Sequence, residues 1–589
     1  MIATVIATSA LLLFQTAKGS IEGVVINQVT NTPIADAQVA ATWMGASAVA
    51  APATGAATVV PGGVIAVIRT DGAPGTISGS PLQSTQVAPV TTDAGGRFVF
   101  RNMDPGAYLL RASADGYAVQ EYNARPGAAR DISRQVNLSA GQAVNDVVFR
   151  LVPGGTISGQ VTGPNGEALV NIEVSLLRSR YGPDGRKTLQ QAGTATTNDR
   201  GEYRIFWITP GRYYLSAAST NRPIQGVPFN PLSARNKYRR MFYPSSTDSA
   251  AATPIDVQPA VELRGLDFRL SEQATYRVRG RVIDPSGQIP RFASVSISPR
   301  DPVINTGFAP SSSNYNPVDG GFELRDVPSG SYIVRAQAPL NSVNGQPGQP
   351  PPPPPTATAF MDVAAADVDG IVLTLLPPTS ISGRIRIEGE LLPQLFRASV
   401  NLNPGVIPSF GPIPRPAQAN PDGTFILDGV LPGEYRVNAV PQFGASSMNL
   451  YVKEIRFGST DVLSNVMVVS GQTSDTLEIV FGKDAGKVSG IGHADSQQLT
   501  SNAQIVLVPD QRTRRDLYKS AGTGPNGQFT FPSVPPGSYK IFAFESVEPF
   551  SWFDPAVLAR YEAKGRPVTV TESSNVTLDL KVIPAAAAR

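Results

Sequence analysis

The segment Thr92-Asp93-Ala94-Gly95-Gly96-Arg97-Phe98, followed by Pro105-Gly106-Ala107-Tyr108, contains the pattern that decides the fold. A glycine stands two residues before an aromatic residue, and a second glycine and a tyrosine stand eight and ten residues after it. Apolar residues at every second position place one face of a strand on a core. The glycines allow the chain to reverse on both sides of that strand. The segment therefore predicts an antiparallel pair of strands joined by a Pro-Gly turn.

The same pattern occurs five times in the 589 residues. The anchoring aromatic residues are Phe98, Tyr203, Phe322, Phe425 and Phe529. The second glycine and the tyrosine follow as Gly106 and Tyr108, Gly211 and Tyr213, Gly330 and Tyr332, Gly433 and Tyr435, and Gly537 and Tyr539. We expect each tyrosine to bury its ring and to bond its hydroxyl to backbone at the edge of a sandwich. The alternative interpretation is that the five tyrosines contact a ligand.

Each copy also has an opening strand centred on a glycine and a closing strand of alternating apolar residues. The central glycines are Gly23, Gly159, Gly280, Gly383 and Gly490. A repeat of roughly 100 residues with about seven short strands has the size of an immunoglobulin-like sandwich. The sequence therefore predicts an all-β protein, a tandem array of about five β-sandwich modules.

The succession Gly-x-Val, Ala-x-Val, Asp-x-x-Gly-x-Phe and Pro-Gly-x-Tyr resembles the carboxypeptidase regulatory-like domain. The first copy matches best, in residues 92–98 and 105–108. The resemblance extends over nearly the whole chain and implies a sandwich related to transthyretin-like and Cna B-type domains. Because these motifs are specific to the fold, the resemblance implies little about activity.

The predicted organisation is a signal peptide at 1–19 followed by five modules. The modules are placed at 20–152, 153–272, 273–376, 377–483 and 484–589, with insertions at 43–90, 220–259 and the proline-rich 341–358. A short helix is predicted at 555–564, because Asp554 is a good N-cap and Pro555 suits the first turn. The short, partly proline-containing joins between modules favour a stiff row of modules.

The start of the chain is typical of a secretory signal. An apolar run from Met1 to Phe14 precedes Ala17-Lys18-Gly19-Ser20, which has small residues suited to cleavage after Gly19. The run lacks the usual basic residues at its beginning. No later stretch has 18 uninterrupted apolar residues, so no transmembrane segment is predicted. We expect an exported protein that is secreted, periplasmic or on the outer surface.

The composition argues against catalysis. There is no cysteine and a single histidine, His493, whereas a zinc carboxypeptidase site needs a His-x-x-Glu pair and a second histidine. No cofactor and no metal are expected, and Asp93, Asp319 and Asp422 are interpreted as turn residues. An isopeptide bond between Lys487 and Asn575 has little support from their positions.

Nucleic-acid binding is disfavoured by the charge of the chain. The formal net charge is +3, close to neutral for this length. Two small basic clusters stand out, Lys237, Arg239 and Arg240 in one and Arg512, Arg514 and Arg515 in the other. Neither belongs to a recognisable nucleic-acid module, and both are interpreted as solvated surface.

Ligand binding on loops carried by rigid sandwiches is the functional hypothesis that remains. The candidate aromatic residues are Tyr238, Phe242, Tyr243 and Trp552, which would stack on sugar faces if exposed. The alternative is that they pack their insertions onto the nearest module, and Trp207 is expected to be half buried. The predicted function is a non-catalytic stalk, adhesion or scaffolding protein, with a carbohydrate-binding accessory protein as the alternative. A cell-surface glycan or protein is the expected partner, and the oligomeric state is left open.

Overall fold

The protein is built from paired β-sheets. The computed structural model describes residues 17–44, 58–59, 65–66, 85–123, 135–182, 185–219, 238–300, 314–338, 353–392, 396–404, 414–441, 449–471, 473–494, 496, 498–501, 503–524 and 526–585. The predicted signal segment lies mostly outside these residues, as do large parts of the three predicted insertions. Apart from a two-stranded sheet at residues 58–59 and 65–66, the described strands form five successive pairs of sheets, which confirms a tandem array of β-sandwich modules.

The first two modules contain nineteen strands among the described residues. Those of the first are β1 Gly19–Asn27, β2 Gln38–Trp43, β3 Thr58–Val59, β4 Ile65–Ala66, β5 Thr85–Thr91, β6 Arg97–Met103, β7 Gly106–Ser113, β8 Gln120–Glu121, β9 Gln135–Leu138 and β10 Ala143–Leu151. Those of the second are β11 Gly155–Thr162, β12 Ile172–Tyr181, β13 Lys187–Thr196, β14 Glu202–Ile208, β15 Gly211–Ser219, β16 Met241–Phe242, β17 Ile255–Val257, β18 Glu262–Leu263 and β19 Phe268–Arg269.

The third and fourth modules repeat the plan. The third has β20 Thr275–Ile283, β21 Ser294–Pro299, β22 Asn314–Tyr315, β23 Gly321–Pro328, β24 Gly330–Gln337, β25 Thr356–Val363 and β26 Val368–Thr374. The fourth has β27 Thr379–Ile387, β28 Ala398–Pro404, β29 Ala417–Gln418, β30 Thr424–Val430, β31 Gly433–Pro441, β32 Tyr451–Phe457, β33 Thr460–Asp461, β34 Met467–Val469 and β35 Leu477–Gly482.

The fifth module carries the only described α-helix. Its strands are β36 Gly486–His493, β37 Gln504–Pro509, β38 Lys519–Gly522, β39 Gln528–Val534, β40 Gly537–Phe544, β41 Arg566–Val570 and β42 Asn575–Lys581. The helix, α1, spans Pro555–Ala559, shorter than the predicted 555–564. Asp554 caps it as predicted, because its carboxylate accepts a hydrogen bond from the Ala556 amide at 2.9 Å.

One sheet of each module is organised around the opening strand. In the first module, β1 pairs antiparallel with β6 and parallel with the closing strand β10. The same arrangement recurs for β20, β27 and β36 with their partners. The second sheet has the strand of the signature tyrosine at its centre, with β7 between β2 and β9 in the first module. Apolar residues between the two sheets form each core.

The predicted antiparallel pairing of the two signature strands is wrong. The strand β6 belongs to the sheet of β1, whereas β7 belongs to the sheet of β2. The Pro-Gly turn therefore carries the chain from one sheet to the other, and the two strands face each other across the core. Alternation of apolar residues is the same for both arrangements, because each strand buries one face either way.

The end of the first predicted insertion also needs correction. Residues 85–91 form β5, which pairs with β2 in the second sheet. They are part of the sandwich, although the insertion was predicted to extend to residue 90. The two valines of this strand, Val87 and Val90, lie three positions apart because the pairing with β2 has an irregularity between Val39 and Ala41. The sequence therefore lacks the period-two alternation that predicts a strand.

The signature tyrosines are internal to the sandwiches. The hydroxyl groups of Tyr108, Tyr332, Tyr435 and Tyr539 each donate to the carbonyl oxygen four residues earlier, at 2.6 to 2.9 Å. All five signature tyrosines are at most 6% exposed. Since their rings are buried and most hydroxyls are bonded to backbone, the expectation of a structural role is confirmed, and the rings are not available to stack on a ligand.

Alkaline pH should destabilise the modules through these tyrosines. Burial raises the pKa of Tyr332 to about 12 and also raises the pKa values of Tyr108, Tyr435 and Tyr539. A tyrosine whose folded pKa lies above its unfolded pKa contributes stability that is complete below about pH 10 and lost toward pH 12. We expect the third module to lose about 1.4 kcal/mol by pH 11, as measured by hydrogen exchange between pH 9 and 11. Tyr332→Phe should flatten this dependence in the third module alone; an unchanged slope would contradict the assignment.

The second and fifth modules touch. The Tyr181 hydroxyl, at the end of β12, donates to the Asp554 carboxylate at 2.8 Å, although the two residues are 373 positions apart. A row in which each module contacts only its sequence neighbours does not permit this hydrogen bond. The prediction of a stiff row from the short joins is therefore wrong for these two modules.

Candidate functional site: an exposed aromatic pair on the second module

Each module has a left-handed residue four positions after its anchoring aromatic residue. These residues are Asn102, Trp207, Asp326, Gly429 and Ser533, with φ between 50° and 71°. Asparagine, aspartate, glycine and serine are small or polar and suit tight backbone positions, and the first three are the residues most often found there. A left-handed bulky residue is a genuine outlier. Trp207 therefore occupies a position at which the other four modules have small or polar side chains.

The Trp207 side chain points outward together with its neighbour. Phe206 is 53% exposed and Trp207 is 49% exposed, so the expectation of a half-buried Trp207 is confirmed. The two ring centroids are 6.4 Å apart, with an angle of 50° between the ring planes. On the other side, a Cβ at Gly154 would lie 2.5 Å from the Trp207 Cα, so the backbone there admits no side chain at residue 154.

This arrangement is suited to stacking. Two adjacent aromatic faces in solvent offer a broad apolar contact with little conformational entropy to lose on binding. Backbone strain that the fold retains at one copy out of five is the kind of outlier from which a functional role is inferred. The aromatic pair Phe206 and Trp207 is the candidate functional site.

The structure corrects two of the four predicted ligand-binding residues. Phe242 is 1% exposed, because β16 pairs with β15 and directs the ring into the core. Trp552 is 6% exposed and belongs to a cluster with Phe544, Leu558 and Tyr561. Neither ring presents a face to solvent, so neither supplies a binding platform. Both pack their segments onto the module, which was the alternative interpretation.

The other two predicted residues are partly buried. Tyr243 packs edge-on against Phe268, with ring centroids 6.0 Å apart. Tyr238 lies at a bridge to Glu272, where the chain enters β16. The structure brings Phe242 and Tyr243 together, and it places Trp552 in a different module.

The sequence contained a signal for the aromatic pair. Aligning the five repeats on their anchoring aromatic residues places Trp207 in a column with asparagine, aspartate, glycine and serine. A tryptophan in such a column is out of place for a turn residue. The high density of aromatic residues in the second insertion favoured Tyr238, Phe242 and Tyr243 instead. The density of aromatic residues does not distinguish a segment that packs on a module from an exposed binding surface.

Other candidate chemistry lies apart from this pair. His493 is at the end of β36, with Nδ1 3.2 Å from the Ala494 carbonyl oxygen. In the part of the chain that the structure describes, no group of three or more His, Asp or Glu residues is arranged to hold a metal ion. None of the described helices is long and apolar enough to cross a membrane. The carboxylates of Asp93, Asp319 and Asp422 accept hydrogen bonds from nearby backbone amides, as expected of turn residues.

Lys487 and Asn575 are direct partners in the parallel pairing of β36 with β42. Both side chains are exposed. A lysine becomes nucleophilic when it is desolvated or lies beside a base. The exposed pair has no such environment, so proximity alone does not favour an isopeptide bond.

Comparison with known proteins identifies one domain. Residues 53–152 match the family model described as carboxypeptidase regulatory-like domain. Colossin-A of Dictyostelium discoideum is 20% identical over 494 residues, which cover 78% of this chain but span only 4% of that protein.

Among solved structures, the Bacillus anthracis TIE protein is 11% identical over 72% of this chain and 73% of that one, with a TM-score of 0.14. The minor pilin GBS52 of Streptococcus agalactiae is 13% identical over 44% and 97%, with a TM-score of 0.20. TM-scores this low carry no argument about function. Over residues 53–152 the chain is therefore similar to the carboxypeptidase regulatory-like domain, the resemblance that the repeat signature predicted.

Proposed function

We propose that this chain is a non-catalytic, exported adhesion or scaffolding protein whose sandwiches present binding surfaces. The observation that supports this most strongly is that the residues repeated in all five modules serve the packing of the sandwiches. The five central glycines would place a Cβ within 3.0 Å of both the closing strand and the anchoring ring, and the five tyrosines are buried. Because the repeated positions serve packing, recognition falls to the segments in which the modules differ.

Export is part of this proposal. Its support is the apolar start of the chain, Met1 to Phe14, followed by small residues that suit cleavage.

The exposed aromatic pair favours a second candidate, carbohydrate binding. Sugar rings present apolar C–H faces that stack on aromatic side chains, and Phe206 and Trp207 are both about half exposed. This candidate rests on Phe206 and Trp207 and not on the four aromatic residues that the sequence predicted as ligand-binding. It also explains why a strained tryptophan stands where Asn102 stands in the first module.

Trp207→Asn should separate the two candidates. Asparagine tolerates the left-handed backbone, so the variant should stabilise the second module by about 1 kcal/mol while removing one aromatic face. If the pair binds sugars, retention on a glycan array or on cell-wall polysaccharide should fall at least tenfold. If the chain adheres through protein surfaces, binding to intact cells should persist in the variant.

The control is Phe360→Ala, which removes a similarly exposed ring, at 53%, from the third module. It should leave glycan retention unchanged. Equal losses in both variants would argue against a specific site at Trp207. Absence of binding to cells, polysaccharide and cell-surface proteins alike would contradict the adhesion proposal itself.

A further inference from the structure

The strands β12 and β13 form a hairpin in the second module. In the part of the chain that the structure describes, β12 extends further than the corresponding strands of the other modules. In every module, the second strand has an aliphatic residue opposite an alanine of the central strand, as in Val39 opposite Ala112 and Val174 opposite Ala217. Among the described residues, the second strand of the other four modules ends four residues after this aliphatic residue, whereas β12 ends seven residues after it, at Tyr181. At about 3.3 Å per residue, the extension projects roughly 10 Å further.

The fifth module presents a preformed aromatic surface between β40 and β41. Phe553 lies nearly parallel to Phe550, with a 10° angle between the ring planes, and its centroid is 4.7 Å from that of Tyr518. The Arg515 guanidinium carbon is 5.4 Å from the Phe553 centroid. The next residue, Asp554, is held in place by capping α1. Contacts within the fifth module therefore fix Phe553 and Asp554.

The extended hairpin meets this surface. The Tyr181 hydroxyl donates to Asp554 Oδ2 at 2.8 Å, while Asp554 Oδ1 accepts from the Ala556 amide at 2.9 Å. The turn of the hairpin lies against Phe553, because a Cβ at Gly185 would be 2.5 Å from the Phe553 Cβ. The Lys187 ammonium nitrogen is 5.0 Å from the centre of the Tyr181 ring. Each contacting group on the hairpin lies at or beyond its extension.

Near neutral pH, Tyr181 is protonated and donates this hydrogen bond, and Asp554 is ionised and accepts it. The hydrogen bond from Tyr181 and that from Ala556 lower the pKa of Asp554, with a further contribution from Lys187. Burial, the bond to Asp554 and the nearby Glu548 raise the pKa of Tyr181, and Arg560 opposes them. At neutral pH a phenol therefore donates to a carboxylate, which is a charge-assisted hydrogen bond.

We propose that the hairpin and the surface at Phe553 and Asp554 form a releasable latch between the second and fifth modules. The contact described here consists of one side-chain hydrogen bond and the packing of the hairpin turn on Phe553. Stable interfaces between domains bury a large apolar area, whereas small ones permit relative motion. Both halves belong to one chain, so a weak contact still closes at an effective concentration on the order of millimolar. The closed form predominates, and an open form with Tyr181 and Phe553 exposed is measurably populated.

Single-molecule energy transfer on the full chain tests the latch. The sequence has no cysteine, so Gln191→Cys and Thr571→Cys, at exposed positions of the two modules, give two unique labelling sites. The wild type should show a major closed and a minor open population. Tyr181→Phe removes the donor without leaving a void and should raise the open-to-closed ratio about tenfold or more. Asp554→Asn retains the helix cap and should raise the ratio less.

Tyr315→Phe is the matched control, because its hydroxyl bonds the Pro290 carbonyl oxygen within the third module. It should leave the ratio unchanged. Hydrogen exchange establishes that the second and fifth modules stay folded in every variant. A Tyr181→Phe distribution identical to that of the control would overturn the latch, and a wild type with one immobile state would overturn its release.

Discussion

Replacing Gly490 with alanine should make the fifth module unfold at a markedly lower temperature than the other modules. The added Cβ would lie within 3.0 Å of the Leu578 carbonyl oxygen and of the Phe529 ring. The carbonyl belongs to β42, which pairs directly with β36, so the clash can be relieved only by separating two strands. We expect a loss of about 3 kcal/mol, at the upper end for overpacking. For a module of this size, this lowers Tm by roughly 10–20 °C.

The same strand contains the control. A Cβ at Gly492 would have its nearest neighbour at 3.4 Å, the Val582 Cγ2, and would therefore make ordinary contacts. Gly492→Ala should change the stability of the fifth module by less than about 1 kcal/mol. Hydrogen exchange with peptide resolution assigns each loss to its module. Equal destabilisation by the two substitutions would show that strand propensity, and not the clash at Gly490, explains the glycine.

The sequence shows that a glycine recurs at the position of Gly490 in all five modules, but it does not show why a side chain is excluded there. Five glycines in equivalent strands were visible by alignment, and so were the anchoring aromatic residues. What fixes each glycine is a carbonyl of the closing strand, which in the last module lies 88 residues further along the chain in the parallel pairing of Gly490 with Leu578. Parallel pairing between distant strands leaves no local pattern, so the reason for Gly490 appears only in three dimensions.

Pairing between distant strands also explains why the Pro-Gly turn carries the chain from one sheet to the other. Phe98 and Tyr108 are both buried and both lie in alternating strands, so the local pattern is equal for one sheet or two. The strand β6 pairs with β1, and β7 pairs with β2. These pairings place the two strands in different sheets. The alternation predicted which residues are buried, and the pairing of distant strands determined where.

The candidate site was less predictable than the fold. Phe242 and Trp552 were selected because they lie in segments that interrupt the repeats, yet such segments need apolar residues to attach themselves to a module. The position of Trp207 between two core strands predicted only that its ring is half buried. Its exposure follows from the left-handed turn at φ 54°, which directs the side chain out of the sheet.

The second large effect is expected at Thr523, a buried residue that precedes β39. Its hydroxyl donates to the Thr500 carbonyl oxygen at 2.7 Å and accepts from the Ala503 amide at 2.8 Å. Thr92 and Thr197 make the same two contacts in the first two modules. Thr523→Val preserves the volume but leaves an amide and a carbonyl without their partner. We expect a loss of about 2–4 kcal/mol from the fifth module, measured by hydrogen exchange.

Two further variants identify the hydroxyl as the cause. Thr523→Ser keeps the donor and acceptor and should recover most of the stability, whereas Thr530→Val, at an exposed position of β39, should cost less than about 0.5 kcal/mol. The fourth module has Ala419 at the corresponding position, where only the amide bonds the Ala398 carbonyl oxygen. A module can therefore close without this threonine hydroxyl. A loss in Thr523→Ser as large as in Thr523→Val would attribute the effect to packing of the methyl group instead.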